Sequence, residues 1–123
     1  MLNKDDLHIL EWSLTDRGSK YAVSGGRAAS KVEVLALLKM LKKNKKFAKA
    51  THNSWGLLLP GGDLLKSDDG EGGAGLVIGE VLRGAGLEGV LVIVTRWYGG
   101  VHLGGDRFRH VRSAAQAFVA DFR

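Results

Sequence analysis

Apolar and polar positions change their period several times along the chain, and each change marks an element. Leu10, Trp12 and Leu14 alternate with other residues, the spacing of a first or edge strand. Thr15-Asp16-Arg17-Gly18 has turn composition, and Ser19 to Ser24, which carries Tyr21 and Val23 and ends at Gly25-Gly26, reads as the next strand. The period then becomes helical. Val34, Leu37, Leu38 and Leu41 fall on one inner face. Ser30-Lys31-Val32-Glu33, just before them, has capping-box spacing, with Ser30 able to accept from a first-turn amide and Glu33 reaching back. Lys42, Lys43, Lys45 and Lys46 close this helix, as suits the negative pole of its dipole.

Thr51 to Leu59 is predicted to be a strand, Pro60-Gly61-Gly62-Asp63 a hairpin turn, and Leu64-Leu65 the returning strand. A polar, glycine-rich loop covers 66–75. Leu76, Val77, Val81 and Leu82 then predict a helix of two or three turns stopped by Gly84 and Gly86. The run Val90-Leu91-Val92-Ile93-Val94 is short, rich in β-branched residues and free of polar alternation. That pattern predicts a central strand over 90–95, buried on both faces, with Val92 and Val94 inside. Asp106 is placed to be the N-cap of a last helix whose inner stripe is Phe108, Val111, Ala115, Phe118 and Phe122.

This order of elements is not a regular strand–helix alternation. It predicts an α+β fold, a two-layer sandwich in which helices pack on one face of a mixed sheet. With 123 residues and no internal repeat or linker, one domain over 1–123 is expected.

Composition changes the picture mainly by exclusion. The chain is 45% hydrophobic and 25% charged, ordinary for a soluble globular domain. Without cysteine it can form no disulfide, thiolate zinc site or cysteine nucleophile. Met1-Leu2-Asn3-Lys4-Asp5-Asp6 has no signal-peptide apolar region and no run is long enough to span a bilayer, so a cytoplasmic chain without membrane contact is expected. The net charge of +5 is unevenly spread. Residues 31–49 hold seven lysines against Glu33, residues 63–71 hold Asp63, Asp68, Asp69 and Glu71 against Lys66, and the last third holds Arg96, Arg107, Arg109 and Arg112. A basic side and an acidic loop suit an acidic partner, protein or RNA.

The candidate chemistry is concentrated where the apolar run at Val94 gives way to Thr95-Arg96-Trp97-Tyr98-Gly99-Gly100 and on to Asp106-Arg107-Phe108. Gly70-Glu71-Gly72-Gly73-Ala74-Gly75 matches G-x-G-x-x-G, but Lys66-Ser67-Asp68-Asp69 precedes it in place of an apolar strand, and Glu88 comes before the next strand and not after it. No dinucleotide or other cofactor is expected. Asp68, Asp69 and Glu71 are oxygen donors of the kind Mg²⁺ takes, yet three acids in four residues read more simply as a solvated loop or as partners of arginines, and no metal is expected. His52, with Asp68 or Asp69, is the candidate base of a hydrolase, but no nucleophile is identified to go with it, so a hydrolase is the minor alternative and no catalytic residue is assigned. What remains is a binding surface: Asp68, Asp69, Glu71, Arg96, Trp97, Tyr98, His102, Asp106, Arg107, Arg109 and Arg112, with the loops 68–75 and 96–106 side by side. Trp, Tyr and Arg are enriched at protein hot spots. The lysines of the first helix and the aromatic pair leave RNA or ribosome binding as the other reading.

Ala50-Thr51-His52-Asn53, Ser67-Asp68-Asp69-Gly70-Glu71, Val92-Ile93-Val94-Thr95-Arg96-Trp97-Tyr98-Gly99-Gly100 and Leu103-Gly104-Gly105-Asp106-Arg107-Phe108 follow one another at spacings that resemble the Impact/YigZ family, and its Impact-type branch in particular. Thr15-Asp16-Arg17-Gly18-Ser19-Lys20-Tyr21 is similar to the family's opening strand, so the resemblance spans roughly 15 to 120. It implies the ribosomal-S5-domain-2-like fold. It also implies a translational regulator that opposes the general-control kinase acting on initiation factor 2, by competing for the kinase's activator, and it implies a link to actin. The chain resembles the core domain alone, without the RWD domain that contacts the activator. Gly72-Gly73-Ala74 replaces the Thr or Pro with which the family usually continues after Asp68-Asp69-Gly70-Glu71.

Overall fold

The run that begins at Val90 organises the molecule. In the computed structural model, which describes residues 6–123, it forms the middle of a single sheet. The elements are β1 (His8–Ile9), β2 (Leu14–Asp16), β3 (Ser19–Arg27), α1 (Lys31–Lys42), α2 (Lys45–Ala48), β4 (His52–Leu58), β5 (Leu64–Ser67), α3 (Ala74–Ala85), β6 (Val90–Trp97) and α4 (Asp106–Phe122). The strand order is β1-β3-β6-β4-β5, with β2 also on β3. Residues 1–5, most of the terminus in which no signal region was expected, lie outside the described residues.

Strand β6 is buried from Val90 to Arg96, because both of its faces are covered. Val90, Val92 and Val94 pack with Val77, Ile78 and Leu82 of α3 and with Val111, Ala115 and Phe118 of α4. Leu91 and Ile93 pack on the other side with Val34, Leu37 and Leu41 of α1 and with Phe47 of α2. The period of two sends alternate residues to opposite cores, which is why the strand reads as continuously apolar. The α+β class is as expected, but two details differ. Every strand pairing among the described residues is antiparallel. Helices cover both faces of the sheet, as a strand with two apolar faces requires.

Local signals explain most element ends. Ser30 caps α1 by accepting from the Glu33 amide at 3.3 Å. Glu33 reaches back one residue beyond the cap, to the Ala29 amide at 2.6 Å. Arg17 and Gly18, with φ of 46° and 84°, make the tight turn between β2 and β3, the conformation a two-residue hairpin needs. Helix α3 runs through Gly84 and stops at Gly86 alone, whose left-handed conformation ends it. At α4 the cap position belongs to Gly105, and Asp106 is the first helical residue. The predicted first strand is interrupted: the Trp12 amide bonds the Leu10 carbonyl, and this tight bend separates β1 from β2.

Register sets the site. Arg96 lies opposite Tyr21 on β3 and opposite His52 on β4. Residues directly paired across strands share a face, so these three side chains stand in a row at one end of the sheet, on the side of α3 and α4. Beyond β6, Gly99 passes so close to Gly18 that a β-carbon there would lie 2.1 Å from the Gly18 carbonyl carbon.

Candidate functional site

Arg96 is 5% exposed, and its charge is met by a carboxylate that is equally hidden. Its Nη1 donates to both oxygens of Glu71, at 2.9 and 3.0 Å, and its Nη2 donates to Ser19 Oγ at 3.3 Å. The guanidinium lies 5.6 Å from the Tyr21 ring and 5.7 Å from the Tyr98 ring, a cation held between two aromatic faces. Glu71 also meets Arg107 Nη1 at 3.5 Å and His52 Nε2 at 3.8 Å. One buried acid therefore gathers groups from β4, β6 and α4.

The loop that carries Glu71 is held by its two neighbours. The Asp68 carboxylate accepts from the Gly73 amide at 3.0 Å and the Gly75 amide at 2.8 Å, which caps the start of α3. The Gly73 bond first, then the Gly75 bond, keep its pKa below the usual carboxylate value against the opposing effect of burial. Asp69 Oδ2 accepts from the Asn53 amide at 2.7 Å, and the Asp69 carbonyl lies 2.8 Å from His52 Nδ1. A carbonyl only accepts, so Nδ1 carries the proton and Nε2 is left facing Glu71. His52 thus pairs with neither the Asp68 nor the Asp69 carboxylate, contrary to the hydrolase reading. The three acids do not converge: two are spent on backbone amides and the third on arginine. Among the described residues no group of three or more His, Asp or Glu side chains is placed to hold a metal ion.

Above this framework is a cleft of about 520 Å³. Glu71 and Arg96 line it together with Thr51, His52 and Gly70 from one side and Tyr98, His102, Leu103, Gly104 and Arg107 from the other. The loops 68–75 and 96–106 do meet, and the acid of the first binds arginines at the ends of the second. Two arginines against one carboxylate leave the lining one positive charge in surplus, counting histidines as neutral. Tyr98 is 44% exposed and its ring lies 5.7 Å from that of His102.

Of the residues predicted for this surface, Glu71, Arg96, Tyr98, His102 and Arg107 line the cleft, and Asp68 and Asp69 support it from behind. Trp97 does not belong to it. Strand β6 continues through Trp97, so its side chain points away from that of Arg96 and into the opposite core. There it packs 5.3 Å from Phe47 and donates to the Lys46 carbonyl at 2.9 Å. Asp106, Arg109 and Arg112 are outside the cleft lining. Asp106 binds Arg17 at 2.5 Å and Arg109 at 3.3 Å. Arg112 reaches Glu80 of α3 at 3.5 Å.

Sequence reasoning missed a second network behind the cleft. His110 is buried on α4 and its Nε2 lies 2.7 Å from Asp16 Oδ2. Arg17 also binds Asp16, at 3.1 Å. Arg17 first and His110 second hold the Asp16 carboxyl down at about 2. Tyr21, edge-on to His110, is buried, its hydroxyl has no hydrogen-bond partner among the described residues, and burial pushes its pKa up to about 12. The only signal in the sequence was the interruption of an apolar helix stripe by a histidine.

Residues 17–119 match the model of the Impact N-terminal domain. The Impact homolog of Schizosaccharomyces pombe is 40% identical over 110 residues, which cover 86% of this chain and 39% of that protein. The solved structure of the two-domain translational regulator Yih1 is 29% identical, with a TM-score of 0.59, and the match covers 98% of this chain and 48% of that one. A solved hypothetical protein, 21% identical, shares the fold at a TM-score of 0.71, over 94% of this chain and 55% of that one. The chain spans less than half the length of the curated relatives it matches. By the family model and by these identities, the chain belongs to the Impact N-terminal domain family.

Proposed function

We propose that this chain is a non-catalytic module that regulates translation by binding protein, and that it modulates the amino-acid-starvation (general control) response in the cytoplasm. The observation that carries this is its 29% identity to a translational regulator along nearly its whole length. The chemistry agrees with binding: the acids of the cleft are engaged with amides and arginines, and His52 bonds the Asp69 carbonyl and neither aspartate carboxylate. The rim, with Tyr98 and His102 exposed and Arg107 half-buried, offers an aromatic–arginine contact of the kind found at hot spots. Candidate partners are the kinase activator of the general-control pathway, the ribosome and actin. Deleting the gene and measuring phosphorylated initiation factor 2 during amino-acid starvation tests the reading. A raised response is expected, together with a co-purifying translation component that Tyr98→Ala releases. An unchanged response with no such component refutes it.

A second reading is favoured by the face of α1 and α2. Lys31, Lys39, Lys42, Lys43, Lys45, Lys46 and Lys49 are all exposed there, and none is in an ion pair among the described residues. Such a face suits a phosphate backbone. RNA binding through it falls steeply between two salt concentrations, because each neutralised phosphate releases counterions. A protein contact centred on Tyr98 is less sensitive to salt.

A further inference from the structure

We propose that the cleft between β6 and the start of α4 is a ligand site for a small phosphomonoester attached to a flat ring, a nucleoside monophosphate being the simplest compound of that class. This goes beyond the regulatory reading and does not depend on any protein partner. Its basis is the division of labour between the two cleft arginines. Arg96 is committed: it is buried, and Glu71 and Ser19 take its terminal nitrogens. Arg107 is not. Its side chain is 33% exposed, it approaches Glu71 only at 3.5 Å through Nη1, and among the described residues it makes no hydrogen bond to protein. The Phe108 ring, 4.5 Å from its guanidinium carbon, steadies it without using its donors. An ordered guanidinium with its fork unoccupied is the group that takes phosphate in a bidentate grip.

The sign of the charge agrees. Glu71 is sunk beneath the arginines at 3% exposure with both carboxylate oxygens bonded by Arg96, and it cancels only one of the two positive charges. A phosphomonoester carries roughly −1.5 to −2 charges at neutral pH, opposite in sign to the surplus of the lining. The ring requirement comes from Tyr98. It is one of the few large apolar side chains left exposed, and it stands at the cleft beside His102, so that their neighbouring rings offer a face on which a planar group stacks. The cleft volume of about 520 Å³ falls in the usual range for a site of this kind. The site is separate from the lysine face, which lies across the sheet with α1 and α2.

The nucleotide unit has two sources, free in solution or at the phosphorylated end of single-stranded RNA. Titration of the purified chain with adenosine and uridine monophosphates, followed by calorimetry and by amide chemical shifts, tests the proposal. Saturable binding is expected to move the amides of 98–107. It is expected to weaken about tenfold when adenosine replaces its monophosphate, or in Arg107→Gln, which leaves the Arg96–Glu71 pair intact. Tyr98→Ala is expected to weaken it several-fold, and both variants should melt close to the parent. A short 5′-phosphorylated oligonucleotide that binds more tightly than the monophosphate, and is equally sensitive to Arg107→Gln, assigns the unit to an RNA end. Failure of the oligonucleotide alone assigns it to the free nucleotide. No saturable binding of either monophosphate at millimolar concentration, or binding that both folded variants retain in full, overturns the proposal. Neither result bears on starvation signalling, which is read in cells by a different measurement.

Discussion

Arg96 and Glu71 are joined through a single nitrogen, which donates to both carboxylate oxygens inside a shell that leaves each residue at most 5% exposed. Two charges so placed are secure only together. Removing one leaves the other desolvated and largely uncompensated. Arg96→Ala is expected to lower stability by about 3–5 kcal/mol, and the double variant Arg96→Met with Glu71→Leu by much less. Urea denaturation of the single and double variants measures this. A double variant as unstable as the single one contradicts the account.

The Asp16 cluster gives a pH dependence of known sign. Its carboxyl titrates at about 2 in the folded chain, against 3.8 for an unperturbed aspartate. A depressed folded pKa stabilises above the unfolded value and is lost as pH falls through the folded one. Acid unfolding of the parent is therefore expected to steepen between about pH 4 and pH 2, and Asp16→Asn to flatten that window, its stability at neutral pH being lowered by the contribution the carboxylate makes there. Thermal melts in steps of pH for both chains check it.

Asp68 works on backbone. Its two bonds fix the first turn of α3. Asp68→Ala is expected to cost roughly 0.5–2 kcal/mol, as loss of an N-cap does. Hydrogen exchange localises the effect: the amides of Gly73 and Gly75 should lose protection before those of β6.

Gly99 has no room for a side chain, because the atoms in its way belong to the Gly18 backbone. Gly99→Ala is expected to push the hairpin turn away from the cleft and to destabilise by roughly 1–3 kcal/mol or more. Loss of the Gly99 amide bond to Ser19 Oγ, now 3.1 Å, would appear as a chemical-shift change at both residues.

Trp97 and Tyr98 are neighbours with separate duties. Trp97→Ala is expected to lower stability by about 2 kcal/mol, through lost packing on Phe47, and to leave ligand and partner binding intact in the folded fraction. Tyr98→Ala should do the reverse. Parallel melting and binding curves for the two variants separate the roles.

The legible parts of this molecule were those written in local pattern. The capped helix α1 with Val34, Leu37 and Leu41 inside, the doubly buried strand with Val92 and Val94, and the stripe through Val111, Ala115 and Phe118 all follow from periodicity. The meeting of the two loops was legible from charge, since an acid in one had to be answered by arginines of the other. Placing His52 beside Glu71 requires the register of β4 on β6, which no local pattern states. Trp97 was assigned to the wrong face because the strand was ended at residue 95, two residues early. The short helix α2 escaped notice because its four residues carry one apolar anchor, Phe47, inside a lysine run. Helix α1 itself was legible but its placement was not: an unbroken apolar strand demands two coverings, and α1 with α2 supplies the second.

The cleft takes its lining from the start of β4, the loop before α3, the end of β6, the loop after it and the first turn of α4, and β6 is the central strand to which β3 and β4 register. No contiguous stretch of the chain supplies the whole lining: residues 96–107 carry one wall, and Thr51, His52, Gly70 and Glu71 the other. During synthesis from the amino terminus, a growing polypeptide that has reached Arg96 still lacks Arg107, and the wall opposite His52 is missing until α4 has docked. Recognition at this cleft therefore begins only when the domain is finished, and anything that binds there has inspected a fully folded copy.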